Sequence, residues 1–399
     1  MNYVFILGHN PKLSTAEILA VLPQAKIIDQ GSSFLILSFD AAGDDNQYFY
    51  RLINRLGGTI KIGEILGSQI SRKVTVEKLK QIQKESKLNF GLSYYDCSKD
   101  NLGMEIKKEL KASGVSCRLV TSRDKILSSV VVAKNQCAEF LVLGKKWLGL
   151  TLAIQNFEDY STRDYGRPAR DLLSGSMPPK LAKIMINLGQ VPSAGKILDP
   201  FCGSGTVLQE GILMGYQMVG SDISEKAVRD SKENMEWLAN KSNFNPPSGG
   251  QIPNFKSQNF NPTIPPLEKG RLGGVFQSDI KEISKKVSAV DAIITEPYLG
   301  PPLKGKEKLE QLRKIMAELS KLYLDAFAEL RKVLNNQGKI VIVFPAFRIG
   351  KEILELPILP QIKKLGFTQL NKDKLIYSRP DQKLWRQVFV FQSSLRTPT

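Results

Sequence analysis

Histidine and cysteine are scarce in this 399-residue chain: one histidine, His9, and four cysteines, Cys97, Cys117, Cys137 and Cys202, stand far apart and show no paired metal-ligand spacing. No metal site is expected from such a set. So few thiols in so long a chain make no disulfide framework either, which fits a reducing, cytoplasmic setting. No apolar run approaches membrane-spanning length. The early run Tyr3-Val4-Phe5-Ile6-Leu7 has no basic leader and stops at Gly8, so it reads as a strand rather than a signal peptide. Acidic residues are also short in supply: 56 Lys and Arg against 39 Asp and Glu leave a net charge of +17. The deficit is steepest over residues 72–146, with 16 basic against 8 acidic, whereas residues 1–71 hold 5 against 6 and residues 147–399 hold 35 against 25. A polyanionic partner is expected, and the middle of the chain is its docking segment. The length predicts two or three domains.

What the chain does have is the run Lys196-Ile197-Leu198-Asp199-Pro200-Phe201-Cys202-Gly203-Ser204-Gly205-Thr206. It reads as a buried strand delivering an acid into a glycine turn, with a helix starting at once. Gly203 and Gly205 permit positive φ and close approach of a ligand. A second acid, Asp222, tips the next strand at the distance expected for gripping a ribose. No lysine follows Gly205, which excludes a Walker loop, and Val207 and Leu208 stand where a dinucleotide site needs its third glycine. Asp199 would repel a pyrophosphate, while a cofactor with a cationic sulfonium and ammonium suits it. A glycine turn of this kind without any cofactor is the structural alternative. The stretch from Asp199 to Thr206 resembles motif I of class I S-adenosylmethionine methyltransferases that modify exocyclic amino groups. That resemblance implies S-adenosylmethionine as cofactor, with Asp199, Phe201, Gly203, Gly205 and Asp222 binding it and Asp279 accepting from the adenine amino group.

Strands are expected at 3–7, 34–39 and 59–62 around helices at 14–22 and 49–56, with Ser14-Thr15-Ala16-Glu17 as a capping box. The basic middle then alternates helix 75–85, strand 90–95, helix 102–113, strand 117–120, helix 128–134 and strand 139–143, closing with a strand from Trp147 to Ala153. With its Phe90-Gly91-Leu92-Ser93 strand, the region 60–155 resembles a THUMP domain, an RNA-binding module of tRNA-modifying enzymes. The segments 159–171 and 174–182 resemble the linker and cofactor-covering helix of archaeal-type tRNA guanosine N2-methyltransferases acting at position 10. Arg163, Arg167 and Arg170 are then candidate tRNA contacts, and an interdomain salt-bridge network is the alternative role for them.

From 196 onward the expected order is strand 196–198, helix 205–214, strand 217–221, helix 224–239, strands 275–277 and 291–294, helix 307–334, strand 339–344, helix 350–365 and a final strand pair through Phe391. That is a Rossmann-like, doubly wound α/β sheet of the class I methyltransferase type. Residues 240–274, rich in Asn, Pro, Gly and Ser, read as a disordered insertion. Asp291-Ala292-Ile293-Ile294 runs into Thr295-Glu296-Pro297-Tyr298-Leu299-Gly300, which resembles the Asp/Asn-Pro-Pro-aromatic motif of amino methyltransferases with Glu296 in the acid's position. A purine amine is a poor nucleophile until two acceptors pin its N–H bonds; Glu296 and the Pro297 carbonyl could do so, while Tyr298 stacks on the extruded base. The other alignment keeps Tyr298 as the aromatic and leaves Thr295 in place of the acid. The expected organisation is a ferredoxin-like domain over 1–59, THUMP over 60–155, linker and helix over 156–180, and methyltransferase over 181–399. The chain so read is a monomeric tRNA guanosine N2-methyltransferase; an adenine-N6 or other RNA-base methyltransferase, and a tRNA-binding protein without transfer, are the alternatives.

Overall fold

The computed structural model describes residues 1–41, 46–82, 87–169, 176–241, 272–303, 307–349, 352–378, 382 and 384–394. Among these residues two compact units separate: Met1–Thr15 with Leu22–Tyr160, and Ala16–Val21 with everything described from Ser161 on. As far as Ile154 the elements are β1 (Asn2–Leu7), α1 (Pro11–Val21), β2 (Lys26–Gln30), β3 (Phe34–Ser38), α2 (Asn46–Arg55), β4 (Thr59–Gly67), α3 (Arg72–Ile82), β5 (Leu88–Tyr95), α4 (Leu102–Ala112), β6 (Cys117–Leu119), α5 (Ser129–Lys134), β7 (Ala138–Leu143) and β8 (Trp147–Ile154). Their described strands form one sheet in the order β2-β3-β1-β4-β8-β7-β5-β6. Strand β4 lies antiparallel to both β1 and β8, so the boundary expected at 59/60 falls on the first residue of a central strand.

Two local expectations are corrected here. Helix α1 starts at Pro11, whose fixed φ suits a first helical position, so Ser14 lies inside the helix instead of capping it. Its hydroxyl donates to the carbonyls of Asn10 (3.2 Å) and Gly58 (2.8 Å). The edge strand β2 was not anticipated, because Lys26-Ile27-Ile28-Asp29-Gln30 is exposed and carries no alternation.

Strand β7 is buried at every position, as a central strand covered on both faces should be, yet it carries Glu139. The Glu139 carboxylate accepts from Lys61 Nζ (2.5 Å), Ser93 Oγ (2.5 Å) and Thr151 Oγ1 (2.8 Å), and Lys61 Nζ also donates to the Leu127 carbonyl (2.7 Å). Four strands, β4, β5, β7 and β8, are thereby tied at one buried point. Removing one member of a buried pair leaves the other charge uncompensated. Lys61→Met should therefore lower stability by about 3–5 kcal/mol in urea unfolding. Lys61→Met combined with Glu139→Leu should recover most of that loss, and an unshifted midpoint for Lys61→Met alone would show that the pair does not hold the sheet.

The remaining elements are α6 (Phe157–Tyr165), α7 (Pro179–Gly189), β9 (Lys196–Asp199), α8 (Thr206–Leu213), β10 (Gln217–Asp222), α9 (Glu225–Lys241), β11 (Leu272–Gln277), α10 (Ile283–Lys286), β12 (Val290–Thr295), α11 (Leu309–Val333), β13 (Leu334–Ile349), β14 (Glu352–Glu355), α12 (Leu359–Lys364), β15 (Phe367–Gln369), β16 (Leu375–Tyr377) and β17 (Leu384–Ser393). The helix expected over 350–365 is replaced by β14 and the short α12. Pro357 and Pro360 explain the break: proline removes a backbone donor and clashes with the preceding turn in a helix interior, and Pro360 is tolerated where α12 begins. The insertion expected over 240–274 lies outside the described residues except at its ends, in α9 and β11.

The described strands of this unit form a doubly wound sheet in the order β11-β10-β9-β12-β13-β17-β15, with β14 on β13 and β16 on β17. Strands β11 to β13 are parallel and β17 runs antiparallel. Helix α11 presents Leu319, Tyr323, Ala326, Phe327, Leu330 and Val333 at helical spacing, and Phe327 meets Phe367 and Phe391 edge-on with ring centres 5.2 Å apart. The chain reverses its direction of sheet growth between β9 and β12. Ligands of open α/β sheets bind in the crevice outside the strand ends at such a point.

Candidate active site

Strand β9 ends at Asp199 and its parallel neighbour β10 at Asp222. Between β9 and α8 the chain turns through Gly203 (φ +52°) and Gly205 (φ +84°), both in the left-handed region that favours glycine. A Cβ on Gly205 would stand 2.8 Å from Ser231 Oγ, whereas among the described residues nothing lies within 4 Å of one on Gly203. One glycine is thus required by its neighbour, and the other leaves an open floor. The Gly203 and Ser224 N–H groups donate to the two oxygens of Asp222 (3.0 and 2.9 Å), which fixes that carboxylate. Beside it Ile223 is 66% exposed, and the Ser221 hydroxyl is buried without a hydrogen-bond partner among the described residues. Phe201 is half-buried against the core. Asp279, just past β11, is exposed and accepts from the Lys281 N–H (2.9 Å).

Adjacent to this cradle is the end of β12. Thr295 is fully buried and donates its hydroxyl to Asp199 (2.7 Å), which also accepts from the Phe201 N–H (3.2 Å). Burial pushes the Asp199 carboxyl up to about 7, against the two hydrogen bonds, and the Asp222 and Glu296 carboxylates push in the same direction. Burial, with the Asp199 charge, also drives the Cys202 thiol well above its ordinary range, so it stays protonated and is no nucleophile. Glu296 receives both Nε (2.6 Å) and Nη2 (3.1 Å) of Arg386 from β17. Pro297 is buried, and the Tyr298 ring is 58% exposed while its carbonyl accepts from the buried Tyr323 hydroxyl (3.1 Å).

The arginines of the preceding segment lie elsewhere than on a surface. Arg163, 4% exposed, pairs through Nε with Glu210 (2.6 Å), and Arg167, 3% exposed, donates to Thr206 Oγ1 (2.5 Å) and to the Ser176 hydroxyl. Buried in this way, neither offers a phosphate its guanidinium, which corrects the expectation of a tRNA contact at these two positions; Arg170 lies outside the described residues. The buried Asn234 side chain adds a third tie, accepting from the Ala169 N–H (3.0 Å) and donating to the carbonyls of Ala169 and Ser204 (both 2.8 Å). Glu210, Asn234 and Arg386 escaped the sequence reading. For Arg386 a signal existed: the single charged residue of a largely buried strand calls for a carboxylate partner.

Residues 167–244 match the family described as RMKL-like, methyltransferase domain. A tRNA (guanine(10)-N2)-dimethyltransferase of Methanothermobacter thermautotrophicus is 33% identical over 150 residues, 37% of this chain and 35% of that one. A protein of Methanothermococcus thermolithotrophicus, named a probable tRNA (guanine(10)-N2)-dimethyltransferase, is 31% identical over 156 residues, 39% of this chain and 82% of that one. The chain belongs to the tRNA (guanine(10)-N2)-dimethyltransferase family. Its match spans about a third of the first relative's length. Among solved structures, TrmN from Thermus thermophilus superposes with a TM-score of 0.51 at 15% identity, over 98% of this chain and all of that one, a likeness of fold. The fold is that of the class I methyltransferases.

The titration of Asp199 has a measurable consequence for this family member. The folded state keeps the proton to about pH 7, whereas the unfolded chain loses it near pH 4. The stability this contributes is full below about pH 4 and is lost as the pH rises through about 7. Asp199→Asn should flatten urea stability across that window and lie above the parent protein at pH 8, by up to roughly 4 kcal/mol. Equal slopes for the two proteins would show that Asp199 does not titrate there.

Proposed function

We propose that this chain methylates the exocyclic N2 of a guanosine in tRNA, at position 10, with S-adenosylmethionine as methyl donor. The observation that carries this reading is the adjacency of the Glu296 carboxylate, at the end of β12, to the glycine turn and the acids ending β9 and β10. A donor cradle and an amine acceptor stand on neighbouring strands. The names of the relatives supply the target atom and nucleotide.

The residues present fit the donor. Open space over Gly203 admits a ligand against the backbone, Asp222 suits the ribose hydroxyls, Ile223 an adenine face and Asp279 the adenine amino group. The carboxylates of Asp199, Asp222 and Glu296 together favour a cation. When bound, S-adenosylmethionine supplies an electrophilic methyl group on positively charged sulfur. The protein's share is positioning. Glu296 and the Pro297 carbonyl accept the two N–H bonds of the guanine amine, turn its lone pair outward and hold the proton it gives up. Buried Thr295, committed to Asp199, leaves Glu296 as the acceptor of the two alternatives. Tyr298 stacks on the extruded base.

The region 60–155 serves as a THUMP-type RNA-binding module through its excess of basic residues, and the chain acts as a cytoplasmic monomer. Arg163 and Arg167 act as struts fixing the linker to α8 and the glycine turn, and Arg170 is the linker arginine left to meet RNA. Incubation of the full chain with tRNA and labelled S-adenosylmethionine, followed by nucleoside digestion, should yield N2-methylated guanosine; N6-methyladenosine, or no product, would overturn the reading. In calorimetry Asp222→Ala should weaken S-adenosylmethionine binding about tenfold or more by removing charge-assisted hydrogen bonds. Binding of tRNA should fall steeply with added salt, as phosphate neutralisation requires; salt-independent affinity would remove the basic region from the interface.

A further inference from the structure

We infer that Arg386 is a positioning residue for the amine-accepting carboxylate of Glu296, an inference that rests on the reading of Glu296 proposed above. Strand β13 lies between the two: its Ile342 is opposite Thr295 of β12, and its Pro345 is opposite Arg386 of β17. Arg386 therefore reaches across β13 to meet Glu296. The contact is two-pronged, with Nε on Oε2 at 2.6 Å and Nη2 on Oε1 at 3.1 Å. Both side chains are close to nine-tenths buried, at 12% and 13% exposed.

Glutamate has one more methylene than aspartate, and so one more torsion over which its carboxylate can swing. A fork on both oxygens removes that freedom, because the guanidinium is planar and rigid. Each carboxylate oxygen has two acceptor directions; the fork uses one on each and leaves another for the amine hydrogen that Glu296 accepts beside the Pro297 carbonyl. The pair is also required electrostatically. Glu296 shares the crevice with Asp199 and Asp222, and Arg386 is the cation bonded to it. Burial alone would weaken the Arg386 charge, yet the neighbouring Glu296 holds the guanidinium pKa above its ordinary value. Arm length and fork are matched: an aspartate at 296 is about one carbon–carbon bond short of Arg386. Arg386 does not touch the amine, and its effect runs through Glu296.

The test is a double-mutant cycle in the full chain, read by single-turnover and steady-state methylation of tRNA and by calorimetry with S-adenosylmethionine. Arg386→Gln should lower kcat about ten- to a hundredfold, as small misplacements of a reacting group do. The KM for tRNA and the affinity for S-adenosylmethionine should change by less than about twofold, and Arg386→Lys should restore part of kcat, since it keeps the charge without the fork. In a Glu296→Asp background, Arg386→Gln should cost far less, because the shortened acid no longer reaches the fork. Wild-type kcat in Arg386→Gln, or the same fold-loss in both backgrounds, would overturn the inference. Should Arg386→Gln fail to fold in circular dichroism, Arg386→Lys against Glu296→Asp carries the same comparison, and full kcat in Arg386→Lys would exclude the fork. A parent protein that binds S-adenosylmethionine but methylates no guanosine would overturn the functional reading and this inference with it.

Discussion

The hydrogen bond from the Thr295 hydroxyl to the Asp199 carboxylate joins the two halves of the site, and it exists only because β9 and β12 are neighbours. They are far apart in sequence, and β10 and β11 are added on the other side of β9 before the chain returns to start β12. That reversal makes the loops diverge and leaves the crevice. The register fixes the rest: Ala292 lies opposite Ile197 and Ile293 opposite Leu198, so Asp199, the last residue of β9, comes within one position of Thr295, the last of β12. A slip of one residue would send these side chains to the opposite face and separate acid from hydroxyl. The glycine turn follows Asp199 and the Glu296 loop follows Thr295, so each element of the proposed chemistry inherits its position from this contact.

Charge acts at two ranges in the same molecule. The chain as a whole carries +17, yet its crevice gathers Asp199, Asp222 and Glu296, with Arg386 committed to the last of them. An exterior excess of cations draws a polyanion from a distance and is screened within about 8 Å at physiological salt. A carboxylate cluster partly out of water selects a cation at contact, where screening is weak. The proposed pairing of RNA with a sulfonium donor uses both regimes without conflict. Asp199, half titrated near neutral pH, is the group whose charge such a cation would most readily draw out.

In the first unit the polar residues inside and outside the sheet have different work. Lys61, Glu139, Ser93 and Thr151 are closed on one another, and a network so satisfied fixes which strands are neighbours and in what register. Surface cations of α3 have no such constraint on their geometry, and in part they are spent on carboxylates, as Arg72 is on Glu105 and Glu109 of α4 and Lys78 on Glu64. Counting charges along the sequence overstates the free cation for this reason. What remains for the proposed RNA partner is the excess over those pairs, and a contact of that kind holds phosphates without reading their order.

The strand-turn-helix at 196–206 was legible because its chemistry is contiguous: an acid, two glycines and a helix start are consecutive residues, and local sterics alone dictate the turn. The alternation of strands and helices that defines the sheet was legible for the same reason, and it failed at 350–365, where apolar spacing outweighed Pro357 and Pro360, and at β2, where an exposed edge strand leaves no pattern. The linker arginines illustrate the other limit. A sequence shows that Arg163 and Arg167 are cations among acids, but whether they face solvent or Glu210 and Thr206 depends on helix packing between segments some forty residues apart. Glu296 and Arg386 are ninety positions apart, and nothing between them announces the contact. It arises from two strand pairings in series, β12 on β13 and β13 on β17, each fixed by its own register. The departure at Glu296, read alone, is a lengthened acid with doubtful aim; set against Arg386, it is half of a matched pair, and the extra methylene is the distance the fork requires.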